Sequence, residues 1–397
     1  VSPTPPPIIR SYQAILALGF RPFFLVAGVS AVLSLALWLA MLRGWMPMNG
    51  YYAGTTWHAH ELLFGYATAA IAGFLLTATR NWTGIATASG VQLAGLVLLW
   101  MAGRIAPFLP LPGVLVAALD LSFPAAVALS LFAPLWRGPN PANRVFVVLL
   151  GSMSLASMLV HIEALGIAAH TALAADRLML GLILLTLLLV AGRIMPFFTQ
   201  SACPGSSPRS NPWVERLTFA LAVVWVATDA ASQAGLAVVV PAALFALALA
   251  LIQGLRLAGW HDRRVWGLPI LAVLYSGYLW LIIGLVLNAL THLGLLAPFP
   301  SLHALTIGAV GVFTLGMMAR ITLGHTGRAM VASPLTVSAF ALLNLAAVVR
   351  VFAPLLWPAA YLHWLTLSGV LWLLAFGLFL WVHAPMLISP RADGRPG

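Results

Sequence analysis

The chain contains no lysine, and its 397 residues carry only eight carboxylates and one cysteine. Without a second thiol there is no internal disulfide, and Cys203, in the polar stretch QSACPGSSPRSNP, has no partner for dithiol redox work. Nineteen arginines supply all the positive charge behind a formal net +11. Scattered singly through apolar sequence, they argue against a nucleic-acid surface and for a role in orienting helices. Charged residues make up only 7% of the chain, too few for a soluble globular protein. What abounds is hydrocarbon: 62% of residues are hydrophobic and the mean hydropathy is +1.02. That composition belongs in a bilayer.

The expected fold is all-α, a polytopic helical bundle forming one integral membrane domain over 1–397, with lipid as its surroundings. Runs of about 20 apolar residues, the length a bilayer demands, are punctuated by Pro, Gly, Arg and Asn. They give about twelve spans, near 22–42, 58–79, 90–108, 113–135, 145–166, 174–198, 216–232, 235–257, 265–290, 302–324, 334–353 and 359–383. The proline-rich start, VSPTPPPIIRSYQ, has no cleavable-signal pattern, so the first span is expected to be an uncleaved anchor. Arg10, Arg21, Arg80, Arg137, Arg144, Arg209, Arg216, Arg256, Arg263, Arg264, Arg328, Arg391 and Arg395 fall on the tails and the even-to-odd connections. The positive-inside rule then puts both tails, 1–21 and 384–397, in the cytoplasm.

That topology sorts the histidines. His58, His60, His303 and His363 open spans 2, 10 and 12, His161 nears the end of span 5, and His170 and His292 lie in adjoining outer connections. Seven of ten histidines thus gather at one depth. When spans 2, 6 and 10 are aligned on His60, Asp176 and His303, Gly65, Gly181 and Gly308 coincide, as do Thr83, Thr199 and Thr326, and Arg193 falls on Arg320. This is the pattern of three parallel repeats of four spans.

With thiolates missing and carboxylates scarce, clustered imidazole suits haem iron, copper or zinc rather than calcium or magnesium. Gly65, Gly73, Gly308 and Gly316 fit either a bulky cofactor or close helix packing. Arg104, Arg177 and Arg350 break the inside bias, and a cation near hydrocarbon needs a partner. Haem propionates, Asp176, Glu61, Glu163 or lipid phosphate would each serve. His58 and His60 are about 200° apart on a helix and cannot share one centre. We therefore expect His60 with His303 across one metal-bearing cofactor, and His58 with His161 near a second metal. His363 or His292 could join the second site, although belt and loop roles suit both. Glu61 or Glu163 would orient the rings.

GFRPFFLVAG from Gly19, WHAHELLFGYATAAIAGFLLTATRNWTG from Trp57, GRIMPFFT from Gly192 and HALTIGAVGVFTLGMMARITLGHTGR from His303 closely resemble the NnrS family across nearly the whole chain. The resemblance implies a bacterial inner-membrane protein of about twelve spans that holds haem and copper, and we expect the haem to be of the b type. It also implies a place in denitrification or protection from nitrosative stress, with nitric oxide as small ligand and an electron donor the sequence does not identify. The arrangement is also similar to the large subunit of haem-copper oxidases, but span 7 has no His-His pair and span 6 no histidine, so dioxygen reduction is not expected. A haem-based sensor or assembly factor, or a transporter of a small solute or metal, are the alternatives to a redox protein.

Overall fold

The computed structural model describes residues 14–47, 50–52 and 54–395. Most of the expected N-terminal tail, including Arg10, lies outside the described residues, as do residues 396–397. Twelve long helices account for the fold, and no strand occurs among the described residues: α1 (Phe20–Leu42), α2 (Gly54–Thr83), α3 (Gly90–Phe108), α4 (Gly113–Arg137), α5 (Pro141–Ala164), α6 (Ala172–Ala202), α7 (Pro212–Gln233), α8 (Val239–Trp260), α9 (Pro269–His292), α10 (Pro298–His325), α11 (Pro334–Leu356) and α12 (Pro358–Ile388). Eleven are long and apolar enough to cross a membrane; α7 is as long but carries Glu215, Arg216 and Asp229. The chain is a polytopic helical membrane protein. Its last helix runs past the expected end at 383 to Ile388, because Pro385 is accommodated inside it.

Local chemistry sets the helix ends. Proline occupies the first turn of α7, where its missing N–H costs nothing, after Asn211 has capped the turn by accepting the Trp213 N–H at 2.9 Å. Ser333 caps α11 in the same way, accepting the Thr336 N–H. At the other end of α1, α5 and α9, Gly44, Gly166 and Gly294 take left-handed φ values of 72, 70 and 73°. Each glycine N–H and that of the residue after it turn back onto carbonyls of the last turn, a closure that a Cβ would strain.

The same closure also ends α7 at Gly235 and α10 at Gly327, so it does not by itself mark a repeat, although α1, α5 and α9 share it at every fourth helix. Contacts repeat too: α4 packs on α5, α8 on α9, and α12 returns to α1 to close the ring. The second helix of each group lies inside. In α2, α6 and α10, 89, 72 and 72% of the most apolar stretch is buried, against 28% in α3. Helix α6 packs against both α2 and α10, and these two meet where the Tyr66 and Thr314 hydroxyls lie 2.5 Å apart. The hydroxyls of Thr83, Thr199 and Thr326 each donate to the carbonyl four residues back, at 2.8, 2.8 and 2.6 Å.

A finer regularity fixes how these inner helices face one another. Arg193 and Arg320, at matching positions, stack over aromatic rings of the preceding inner helix: Arg193 lies 5.2 Å from the Trp82 ring and Arg320 3.8 Å from that of Phe198. Trp82 and Phe198 are themselves matching positions, twenty-two residues after His60 and Asp176. At the third junction the corresponding residues are Thr77 and His325. There Phe20 of α1 bridges, donating its N–H to Thr77 at 3.0 Å while its ring sits 5.4 Å from His325.

Lipid tails are as apolar as leucine, so helices associate through close packing rather than water exclusion. The glycines of the inner helices serve that purpose. A Cβ on Gly308 would lie 2.5 Å from Trp280, on Gly316 2.6 Å from Val273, on Gly73 2.9 Å from Phe23, and on Gly65 3.2 Å from Arg104. Of the two uses open to them, these positions serve helix packing. Cys203 is buried at 1% exposure rather than lying free in a polar loop, because its turn folds back under the end of α6. Removing the ring beneath a buried guanidinium should cost about 1–2 kcal/mol. Trp82→Leu and Phe198→Leu are thus expected to lower the thermal midpoint of the detergent-solubilised protein, whereas Phe197→Leu, at an exposed ring, leaves it unchanged.

Candidate functional site

Two polar centres lie on opposite sides of α2, near one end of the bundle. His58 and His60 both belong to the regular helical turns Gly54–His60, so the 200° between them holds and they point apart. Immediately after His60 the helix widens into π turns over Glu61–Ala67, and α10 does the same over Ala304–Val312, immediately after His303. Such widenings are uncommon and collect at functional sites. Here their loosened carbonyls are met by side chains. Thr68 and Trp100 donate to Gly65 O, and Thr314 donates to Val310 O and Gly311 O.

The first centre is a cavity of about 790 Å³ lined mainly by α1, α2, α6, α10, α11 and α12. Its walls are mostly apolar, with Leu35, Leu62, Ile307 and Trp372 among them. Polar groups enter at a few points: His58, Asp176, Arg177, His303 and Arg350, with Glu163 and His170 at the margin. The His303 Nδ1 lies 2.8 Å from the Phe299 carbonyl, so it carries the proton and leaves Nε2 as a bare lone pair. The His58 ring stacks on Trp38 with centroids 4.7 Å apart, and its buried Nδ1 has no hydrogen-bond partner among the described residues. Arg350 donates to the Tyr361 hydroxyl at 3.1 Å, but its Nη1 is buried without a partner, as is Asp176 Oδ1. The cavity therefore presents two imidazoles and a cation with unused bonding capacity among mostly apolar walls. These are the features of a large-ligand site.

The second centre is small and crowded, lying between α2, α3, α4 and α5. Asp120 Oδ2 accepts from Ser157 at 2.6 Å and lies 3.0 Å from His161 Nε2 and 3.2 Å from His60 Nε2. Tyr52 and Tyr51 approach His60 Nε2 and His161 Nδ1 at 3.1 and 2.9 Å. Arg104 pairs with Asp120 Oδ1 and reaches Glu61 Oε1 at 3.1 Å. His60, Asp120 and His161 are 0, 4 and 1% exposed. The ring nitrogens of His60 and His161 and one Asp120 oxygen lie within 4.8 Å of one another. The two separations to Asp120, 3.2 and 3.0 Å, match the about 3.0–3.4 Å that bonds of about 2.0–2.1 Å to one tetrahedral ion require. With both carboxylates ionised and the imidazoles neutral, a single guanidinium would leave one negative charge uncompensated. A cation would balance it.

The histidines are thus divided differently from the sequence expectation. His60 does not share a cofactor space with His303; it turns to Asp120 and His161. His58 does not join His161; it lines the cavity with His303. Arg104 is not free for a propionate, being held by Asp120 and Glu61 on the other side of α2, whereas Arg177 and Arg350 do line the cavity. Glu163 caps α6 by accepting the Ala172 N–H at 2.8 Å. His292 is held by Asp229 at 2.8 Å, a carboxylate that also accepts from Asn288, and His363 is exposed at the start of α12. Neither joins a metal-grade group. Sequence reasoning missed Asp120, the residue on which the second centre turns. Its signal was present: a lone carboxylate in the middle of the apolar run AALDLSFPAA, where ionisable groups are costly and function is the default reading.

Fold and site together define a polytopic membrane protein with a large imidazole-lined cavity and a buried His-Asp-His group of metal-binding geometry. The family described as NnrS protein matches residues 14–391, and the chain belongs to it. No curated protein matches.

Asp120→Asn removes the strongest partner of a buried guanidinium and should destabilise the protein by about 3 kcal/mol, the scale for breaking one side of a buried pair. Combined with Arg104→Gln it should cost less than the two single changes added, read as thermal midpoints in detergent.

Proposed function

We propose that the protein is a haem- and copper-holding membrane protein that handles nitric oxide and protects the cell from nitrosative stress. The observation that carries this reading is the cavity with His58 and His303 in its walls, separated by α2 alone from the His60–Asp120–His161 group. The cavity suits a haem, through its volume, its apolar walls and the lone pair left on His303. His58 and His303 would hold the iron, and Arg177 and Arg350 the carboxylate tails; arginine's rigid fork suits carboxylates. His60, Asp120 and His161 suit copper, for which imidazole and carboxylate are good donors. When bound, the two groups supply one-electron exchange and a position for a diatomic ligand.

The protein's own residues set the conditions. Trp38 holds the His58 ring by stacking, and the Phe299 carbonyl fixes the His303 tautomer. Tyr52 and Ser157 hold the His60 ring and the Asp120 carboxylate in place. Arg104 offsets one of two buried negative charges, so that the site is anionic enough to attract a cation without repelling its own carboxylates. The mostly apolar walls suit an uncharged gas that dissolves in lipid.

Spectra and metal analysis of the purified protein test the assignment. His58→Ala and His303→Ala are expected to remove or convert the haem absorbance, while His60→Ala and His161→Ala lose copper and keep the haem. Haem spectra unchanged in the first pair, or a wild-type protein without haem, would overturn it. Consumption of nitric oxide by reduced protein separates turnover from binding alone.

The reading places the protein in the bacterial inner membrane with both termini cytoplasmic and both centres toward the outer face. The arginine-rich connections support it. Cys203 is too buried to report this, so Ser207→Cys in a Cys203→Ser background is the suitable probe. An impermeant maleimide should label it only after the membrane is opened, and ready labelling in sealed cells would reverse the orientation.

A further inference from the structure

At the middle of the bundle, where α2, α6 and α10 converge beside α1, lies a second, smaller chamber of about 60 Å³. Phe24, Ala70, Leu187, Val190, Phe313 and Met317 make up much of its wall. Its two polar side chains are turned away from the space. Thr186 donates to the Leu182 carbonyl at 2.8 Å and Thr314 to the Val310 carbonyl at 2.6 Å, each satisfied within its own helix. A space of about 10–15 Å³ on this measure is enough for one water, but water also needs two or more polar partners, and apolar cavities of this kind stay dry and take up xenon.

The chamber adjoins the large cavity. Val310 lines both, and Tyr66, from the wall of the large cavity, donates its hydroxyl to Thr314 of the chamber, since the Thr314 hydrogen is already committed to Val310 O. The partition is therefore one side chain and one hydrogen-bonded pair thick. We infer that the chamber is a binding site for a small uncharged diatomic gas, held one partition away from the large cavity. It has room for two or three atoms, no group to hold an ion, and no partners for water. That the gas is nitric oxide rests on the function proposed above; that the chamber takes a gas does not.

Xenon tests the site directly, because it needs an apolar space of the right size and no haem. Crystals of the full-length protein pressurised with xenon are expected to show an anomalous peak between Ala70, Val190 and Met317. Ala70→Leu from α2 and Val190→Phe from α6 fill the chamber from two sides without touching the large cavity, and each should abolish the peak while leaving the absorbance spectrum as in wild type. Two variants guard against one that fails to fold. No xenon peak in wild type, ordered water in the chamber, or a peak that persists in both filled variants would overturn the inference. Loss of haem from wild type, by contrast, would count against the proposed function and leave the xenon result readable.

Discussion

A charged side chain below the headgroups has no water to turn to, and the bundle is arranged around that constraint. Arg256 is satisfied by Glu215, Gln253 and the Tyr278 hydroxyl in a space that exists because position 192 is glycine: a Cβ there would lie 2.2 Å from the guanidinium. Arg21 ties the start of α1 to the end of α12 through the Leu387 and Ser389 carbonyls. Arg193 and Arg320 spread their charge over aromatic faces. Arg256, Arg21, Arg193 and Arg320 thus each join two or more helices, and the ion pair of Arg104 with Asp120 does this at the site itself. The same interaction that makes the charge tolerable fixes the rotation of the helices that carry it.

Those junctions also account for how three similar arcs came to do different work. The matching arginine-on-ring contacts join α6 to α2 and α10 to α6. The third junction carries Thr77 where the others carry arginine, and Phe20 bridges it. At the other end of the inner helices the reference positions read His60, Asp176 and His303. One of these faces its own arc and two face the shared cavity, so a repeated frame yields one small anionic site and one large apolar one. In the second arc the outer polar group, Asp229 with Asn288 and His292, is closed upon itself and held by Trp225, and it serves packing.

Much of this was legible in the sequence and some of it could not be. Prolines and glycines mark the helix ends because their backbone chemistry acts locally, so the spans, the histidine layer and the repeat register could be read directly. The opposed directions of His58 and His60 follow from helical pitch. Which direction meets which partner does not: it depends on the rotation of α2 and on the side-by-side order of α3, α4 and α5, and these are set by packing between residues far apart in sequence. That is why the expected partners of His58 and His60 are exchanged. Asp120 went unnoticed because no histidine stands near it in the chain, and its meaning comes from His60 and His161 across two helix boundaries.

The exchange has a physical consequence for any chemistry at the two centres. With His58 and His60 on opposite faces of one helix, their rings stand on the order of a helix diameter, about 10 Å, apart. At an effective dielectric constant of about 20, two unit charges at that distance interact by about 1.7 kcal/mol, more than a tenfold change in an equilibrium constant. A cation gained by the His60–Asp120–His161 group, or a proton taken up there in its place, is therefore felt in the cavity that His58 and His303 line. The Arg104–Asp120 pair does not lessen that field, which depends on the charge added, but a guanidinium already seated against the carboxylate weakens the hold on a second positive charge. The pair thus has two roles that pull against each other: it keeps the buried carboxylate affordable in lipid, and it competes with whatever cation the histidines hold. A site balanced in this way responds to small changes in what occupies it, and α2 is thin enough to pass that response to the other side.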